Sequence, residues 1–233
     1  VEFIQLPIKD WGVMETEYKM TFSSADEMYG FANSKIFEQY CLDVNSAKTE
    51  VLENFYLDTP NGDVTSRHAS VRVRKHTNVN GEIHYTFTVK ISAKIENGLH
   101  QRYEWNVESE DDSFKKKDFL FSATGSDDPD ELLSQVLDGI EDSDLRETCS
   151  TCFKRTTYTF GFGDSIMEVC FDDGILKAGS KEDSICEMEI ELISGDVVDL
   201  NELAEYIVNN TSAVFFNKSK YSRCLSLLND INE

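Results

Sequence analysis

The stretch Met14-Glu15-Thr16-Glu17-Tyr18-Lys19-Met20 carries the first residues whose types and spacing could do chemistry. Side chains alternate between faces along an extended chain, so Glu15, Glu17 and Lys19 share one side while Met14, Thr16, Tyr18 and Met20 share the other. Two carboxylates and an ammonium in strict alternation describe either a strand edge charged for solubility or a polar surface that handles a metal ion and an anion together. The alternation recurs downstream, which favours the second reading. Ser70, Arg72 and Arg74 oppose Val71 and Val73; Thr86, Thr88 and Lys90 oppose Tyr85, Phe87 and Val89; Arg102, Glu104, Asn106 and Glu108 oppose Tyr103, Trp105 and Val107. Further on, Arg155, Thr157 and Thr159 share a face with Phe153. Glu168, Cys170 and Asp172 oppose Met167, Val169 and Phe171, and Glu187, Glu189 and Glu191 oppose Met188, Ile190 and Leu192.

Carboxylates with no histidine or cysteine shell select a hard divalent cation such as Mg²⁺ or Mn²⁺. Arginines and lysines in the same space select a polyanion, because guanidinium forks match phosphoryl oxygens. Metal plus polyphosphate points to phosphoryl transfer, where positioning and charge neutralisation do most of the work. The net charge of −22 excludes a nucleic-acid-coating surface, so an anionic ligand must meet a local, shielded cluster of cations. No apolar run reaches the roughly 18 residues a membrane span needs, and Val1 to Trp11 is too polar for a signal peptide; a cytoplasmic protein is expected. Six scattered cysteines read as reduced thiols, and Cys149-Ser-Thr-Cys152 lacks the second pair or histidines that a metal site would need.

Positioning these residues takes eight strands, each apolar on one face and ionic on the other. The pattern predicts an α+β fold: a closed eight-stranded antiparallel barrel whose ionic side lines a lumen and whose apolar side packs against helices outside. The lumen is expected to hold Glu15, Glu17, Asp58, Glu104, Glu168, Asp172, Glu187 and Glu189 with Lys19, Arg72, Arg74, Lys90, Arg102 and Arg155. So many ions are costly in a dry interior, so the lumen must be wet and must serve a ligand. Helical spacing predicts a helix over Ala25 to Gln39 and another over Leu132 to Ile140. Two more are expected from about 197, one over Val197 to Val208 and one after Asn217. A hairpin turn is expected at Asn78 to Gly81. The whole chain, 1–233, reads as one domain with a charged helical and loop excursion at about 109–148.

The ordered motifs resemble those of the CYTH group of triphosphate tunnel metalloenzymes: Glu15-x-Glu17-x-Lys19, Tyr56-Leu-Asp58, Arg72-x-Arg74, Thr88-Val-Lys90, Arg102-Tyr-Glu104, Arg155, Glu168 with Asp172, Glu187-x-Glu189-x-Glu191, and Ser219-Lys220-x-x-Arg223. Gly98 to Val107 and Ile185 to Asp196 are most similar to the bacterial inorganic triphosphatase subfamily. The resemblance implies a tunnel that hydrolyses tripolyphosphate to pyrophosphate and phosphate with Mg²⁺ or Mn²⁺. It further implies that Glu15, Glu17, Asp172, Glu187 and Glu189 hold metal. Lys19, Arg72, Arg74, Lys90, Arg102, Arg155, Lys218, Lys220 and Arg223 would grip the phosphate chain, and Glu15, Glu17, Lys19, Lys90 and Glu189 would be the residues on which turnover depends. Thiamine triphosphate or nucleoside triphosphates are alternative substrates within the class, a class IV adenylate cyclase is another alternative, and a non-catalytic polyphosphate or nucleotide sensor is the alternative of a different class. Thr157 stands where a further cation is expected. Arg102 and Glu104 could pair across the lumen, Glu191 is open between solvent and metal, and His100 reads as a turn residue rather than a base.

Overall fold

A computed structural model of the chain describes residues 11–77, 81–120 and 128–229. Eight strands form its frame: β1 (Trp11–Thr21), β2 (Lys48–Asp58), β3 (Ala69–Thr77), β4 (Ile83–Glu96), β5 (Leu99–Ser109), β6 (Arg146–Phe162), β7 (Ser165–Ala178) and β8 (Lys181–Ser194). They pair antiparallel in the order β5-β4-β3-β2-β6-β7-β8-β1, and β1 returns to pair with β5, closing the ring. Closure leaves none of the eight with a free edge, and it turns the period-two alternation of each strand into an inside and an outside. A ninth strand of two residues, β9 (Val214–Phe215), extends the β1 edge where β5 ends, pairing Phe215 with Met20. Most of the expected turn at Asn78–Gly81 lies outside the described residues.

The outer face carries the apolar members of the alternation and is covered by helices on two sides. Phe171, Met188, Ile190, Met20 and Phe160 pack beneath α1 (Ala25–Phe31), α2 (Lys35–Tyr40) and α6 (Val197–Asn210). Val71, Val89, Phe87 and Trp105 pack beneath α4 (Lys116–Leu120) and α5 (Asp128–Leu137). Each such side chain contributes about 1.5–3 kcal/mol by leaving water. The helix expected over Ala25 to Gln39 is two helices. Ser24 caps α1 by accepting from the Glu27 N–H, and Ser34 caps α2 by accepting from the Phe37 N–H, each at 3.2 Å. A serine hydroxyl that caps a new first turn competes with continuation of the old helix, so the break falls at Ser34.

Not every helix lies outside. The last, α7 (Lys220–Asn229), packs against Tyr56, Cys149, Leu176 and Ile185 through Tyr221 and Cys224. Cys149, Leu176 and Ile185 have the same strand parity as Arg155, Asp172 and Glu187, so α7 sits against the inner face at one end of the ring. That corrects the expectation that all helices pack outside. Its physical basis is a change along the inner faces of β6, β7 and β8, which carry Arg155, Glu168, Asp172, Glu187, Glu189 and Glu191 toward the lumen and turn apolar at Cys149, Leu176 and Ile185, where α7 meets them. Among the described residues no helix is long and apolar enough to cross a membrane. Cys149 is buried and Cys152 exposed, as a three-residue step along a strand requires, so the two thiols do not form one site.

Candidate active site

The inner faces enclose a cavity of about 240 Å³, room for roughly eight water molecules at about 30 Å³ each. Six glutamates, Glu15, Glu17, Glu104, Glu168, Glu189 and Glu191, line it together with Lys19, Arg72, Arg74, Lys90, Arg102, Arg155 and Lys220. Residues from β1, β3, β4, β5, β6, β7, β8 and α7 therefore converge on one space, because closure of the ring aims every polar face at the same axis.

The acids and bases are interleaved as pairs. Lys19 contacts Glu189 and lies 3.2 Å from Glu17, while Arg102 contacts Glu17 and lies 3.9 Å from Glu15. Lys90 lies 2.7 Å from Glu15 and contacts Glu104. Thus Arg102 and Glu104 do not pair with each other across the lumen; each takes a partner from another strand. Arg155 grips Asp172 with both arms of its guanidinium, at 2.7 and 2.6 Å, and reaches Glu189 at 2.5 Å. Lys220 enters from the α7 end, 2.7 Å from Asp172 and 2.9 Å from both Glu187 and Glu189, with its ammonium 5.0 Å from the Phe153 ring centroid. Against β3, Arg74 donates to Asn54 at 2.8 Å and Arg72 to Thr88 at 2.9 Å.

Burial and charge act in opposite senses on these groups, and the outcome differs from wall to wall. Burial pushes the Glu189 carboxyl up, but Lys19, Lys220 and Arg155 hold it well below the usual range. Burial likewise opposes the depression of Glu104, which Lys90 and Arg72 impose, and that of Asp172, which Arg155 and Lys220 impose. Arg74 is pulled down to about 9, by burial first and then by Arg72 and Arg155. Glu191 goes the other way. Burial and the neighbouring Glu15 and Glu168 push it up to about 7, and it has no ion-pair partner among the described residues.

Most residues expected in the lumen are there. Asp58 is not: its carboxylate accepts from the Thr59 and Val64 N–H groups at 2.8 and 2.9 Å and from the Thr65 N–H and hydroxyl at 3.1 and 2.6 Å. It folds the short helix α3 (Asp63–Ser66) onto the barrel. Asp58 keeps the parity of Asn54 and Tyr56, but it is the last residue of β2, where the chain turns into α3 and the Tyr221 hydroxyl of α7 also reaches its carboxylate at 3.3 Å. Lys218 and Arg223 border a separate surface cleft rather than the tunnel. Lys218 precedes α7 and stays exposed, while Arg223 reaches Glu187 from the far side at 2.6 Å and also contacts Asp183. His100 is not a turn residue: it is fully buried in β5, faces the Phe216 carbonyl at 3.2 Å, and is pulled down to about 4 by burial and Lys19.

Glu15, Glu17 and Glu189 reach the cavity, whereas Asp172 and Glu187 are fully buried behind Lys220 and Arg155. Thr157 faces Cys170 at 3.5 Å, so that part of the inner wall is uncharged. Glu191, left open by the sequence, lines the cavity; its parity with Glu187 and Glu189 was the available signal. Ser70, Ser219 and Tyr221 also line it; Ser70 shares the face of Arg72 and Arg74 and Ser219 precedes Lys220 in its motif, while no sequence pattern marks Tyr221.

The family model of the CYTH domain matches residues 15–224, nearly all of the described chain. The chain belongs to the CYTH domain family. Over 175 residues, 74% of its length, the CYTH chain is 31% identical to an inorganic triphosphatase of Haemophilus influenzae, and it spans only 44% of that relative. Among solved structures, a Hippeastrum protein assigned as an adenylyl cyclase and described as having a dominant triphosphatase activity superposes with a TM-score of 0.57, at 18% identity over 91% of this chain and 95% of that one. A Pyrococcus horikoshii protein superposes with a TM-score of 0.51, also at 18% identity, over 91% and 99% of the two chains. These likenesses identify the ring of strands as the CYTH tunnel fold.

Proposed function

We propose that this CYTH chain hydrolyses inorganic triphosphate to pyrophosphate and phosphate with a bound divalent cation, Mg²⁺ or Mn²⁺. The observation that carries the reading is the interleaving of six glutamates with seven lysines and arginines around one cavity of about 240 Å³. That volume lies below the roughly 300–1,000 Å³ of sites for drug-sized organic ligands and supports a small, highly charged substrate.

The donor set fits a hard cation. All its ligand atoms are carboxylate oxygens, and Glu191, raised to about 7 beside Glu15 and Glu168, marks a concentration of negative charge that a cation would relieve. Among the described residues no three acidic side chains already stand at ligating distance, because Lys19, Lys90 and Arg102 lie between them. Glu15, Glu17, Glu189 and Glu191 would hold the ion once those cations turn to the substrate. A bound divalent ion would shield the phosphoryl oxygens and acidify a water molecule. The chain's own residues do the rest. Arg72, Arg74 and Lys90 grip the phosphate chain from one wall, and Lys19, Arg155 and Lys220 from the other, while Asp172 and Glu187 fix Arg155 and Lys220 from behind. Water attacks the terminal phosphorus, the bridging P–O bond breaks as pyrophosphate leaves, and a cavity glutamate takes the proton of the attacking water.

The test is a substrate panel of tripolyphosphate, thiamine triphosphate and ATP, each with Mg²⁺ or Mn²⁺. The highest kcat/KM is expected for tripolyphosphate. Preference for an organic triphosphate by an order of magnitude would replace the inorganic reading, and absence of phosphate release from all three would leave a binding module.

A further inference from the structure

The joint between α7 and the ring holds two reactive groups that phosphate hydrolysis does not use. Tyr56 of β2 and Cys149 of β6 are direct partners across their ladder, so their side chains stand next to each other on the inner face. On α7, Tyr221 and Cys224 are three residues apart and share one face of the helix. The Tyr221 ring stacks on that of Tyr56, with centroids 4.9 Å apart and planes 19° from parallel. Laying one pair on the other brings Cys224 onto Cys149, and the two thiols are hydrogen-bonded to each other. Both lie in the buried cluster with Leu52, Leu176 and Ile185, Cys149 3% exposed and Cys224 fully enclosed.

The other four cysteines are placed differently. Cys152 is exposed, Cys41 ends α2, Cys170 faces Thr157 at 3.5 Å and Cys186 faces the Met28 thioether at 4.0 Å. A buried cysteine packs as a small apolar side chain, which accounts for one thiol at either position. It does not call for two sulfurs in contact, brought together from residues 149 and 224. Their place adds to the case, because Lys220 enters the tunnel one helical turn before Cys224. Whatever fixes Cys224 to β6 fixes the helix that carries this cation.

We propose that Cys149 and Cys224 are the site of a reversible disulfide that ties α7 to β6, formed by exchange with a low-molecular-weight disulfide such as oxidised glutathione. One cysteine thiolate attacks a sulfur of the oxidant, whose S–S bond breaks, and the first glutathione leaves. The second cysteine attacks the mixed disulfide and releases the second glutathione. The two cysteine sulfurs are oxidised, the two glutathione sulfurs are reduced, and each glutathione takes up one of the two thiol protons. The Cys224 thiol and burial push the Cys149 thiol up, and the cluster encloses both, so exchange waits on a local opening of α7. The bond closes a long loop that contains β7, β8 and α6, which restricts the unfolded chain more than a short loop would. It depends on the docking of α7 and not on which substrate the tunnel takes.

The full chain is equilibrated in a glutathione redox buffer from two starting points, native protein and protein unfolded in urea and then diluted, so that slow opening of α7 does not hide the product. Digestion without reductant, followed by mass spectrometry, reads the pairing. A peptide linked through Cys149 and Cys224 is expected from both starting points, and dithiothreitol should remove it. The oxidised wild type should unfold about 5–15 °C above the reduced protein. Cys152→Ser should keep that shift, whereas Cys149→Ser and Cys224→Ala should each abolish it. The shift is read between oxidised and reduced forms of one variant, so a lower starting stability does not mimic the result, and the wild-type peptide map stands even where a variant fails to fold. Glutathione adducts confined to Cys41, Cys152 or Cys186, with Cys149 and Cys224 still free thiols, would overturn the proposal. So would a bond from either of the two to another cysteine, or a linked protein no more stable than the reduced one.

Discussion

Lys220→Met removes one ammonium and keeps most of the aliphatic stem beside Phe153. The ammonium is 7% exposed and stands 2.7 Å from Asp172 and 2.9 Å from Glu187 and Glu189. Removing one partner of a buried ionic network costs about 3–5 kcal/mol, because the remaining charges stay desolvated without compensation. Arg155, Lys19 and Arg223 still reach those acids, which places the expected loss near the lower end, about 3 kcal/mol. At roughly 2–4 °C per kcal/mol for a chain of this size, Tm should fall by about 6–12 °C near neutral pH. The pH dependence has a definite sign. Asp172 and Glu189 are held below their ordinary values of 3.8 and 4.5, so the stability they contribute is present above those values and is lost as pH falls through the depressed ones. Lys220 is raised above 10.5, despite burial, by Asp172, Glu187 and Glu189; its contribution is present below 10.5 and lost only at more alkaline pH. The difference between wild type and variant should therefore be full at pH 7–8 and shrink below about pH 4, as the orphaned acids take up protons. Thermal unfolding followed by circular dichroism at both pH values, with the KM for tripolyphosphate measured alongside, is the assay. A variant as stable as the wild type at pH 8, or a deficit that does not shrink in acid, would refute the coupling of α7 to the tunnel floor.

Three further outcomes follow from the same geometry. Glu191 binds its proton more tightly in the folded state, up to about 7 against an ordinary 4.5, so it costs stability as pH rises through that window; Glu191→Gln should raise stability by about 1–3 kcal/mol at pH 8 and change nothing below pH 4, as read by urea unfolding. Asp58→Ala strips α3 of its backbone acceptor and should cost about 1–3 kcal/mol, while the KM for tripolyphosphate stays near the wild-type value, which an aspartate lining the tunnel would not allow. Gly98 has φ +83°, and a Cβ there would meet Phe215 at 2.7 Å and the Lys19 carbonyl at 3.0 Å; Gly98→Ala should lower Tm and, by shifting the β1 segment that carries Lys19, raise KM.

The tunnel was legible in the sequence because a strand reads out its two faces at a period of two, and charge of both signs on one face is rare outside a ligand site. Lys19, Arg72, Lys90 and Glu189 could be assigned from parity alone. Parity fails at strand ends, as at Asp58, which shares a face with Asn54 and Tyr56 yet is taken up by the backbone of α3 and the Tyr221 hydroxyl. It also fails beyond the last strand. Lys218 and Arg223 flank Lys220 in sequence, but only the docking of α7 decides which of the three enters the bore. That docking was hidden because the contrast between faces reverses its sense there: Cys149, Leu176 and Ile185 are apolar on the inner face, while Ser150, Lys177 and Ser184 are polar on the outer one. Short elements such as α3 and β9 depend on tertiary partners rather than on their own pattern.

In the proposed function this tunnel cleaves a phosphoanhydride bond with acids and bases acting together. Continuous phosphate release from tripolyphosphate, by wild type and Glu17→Gln, with Mg²⁺ and with EDTA, tests it most directly. Release by the wild type in Mg²⁺ alone, abolished in EDTA and in the variant, is the predicted result. Undiminished release in EDTA, or by Glu17→Gln, would contradict it.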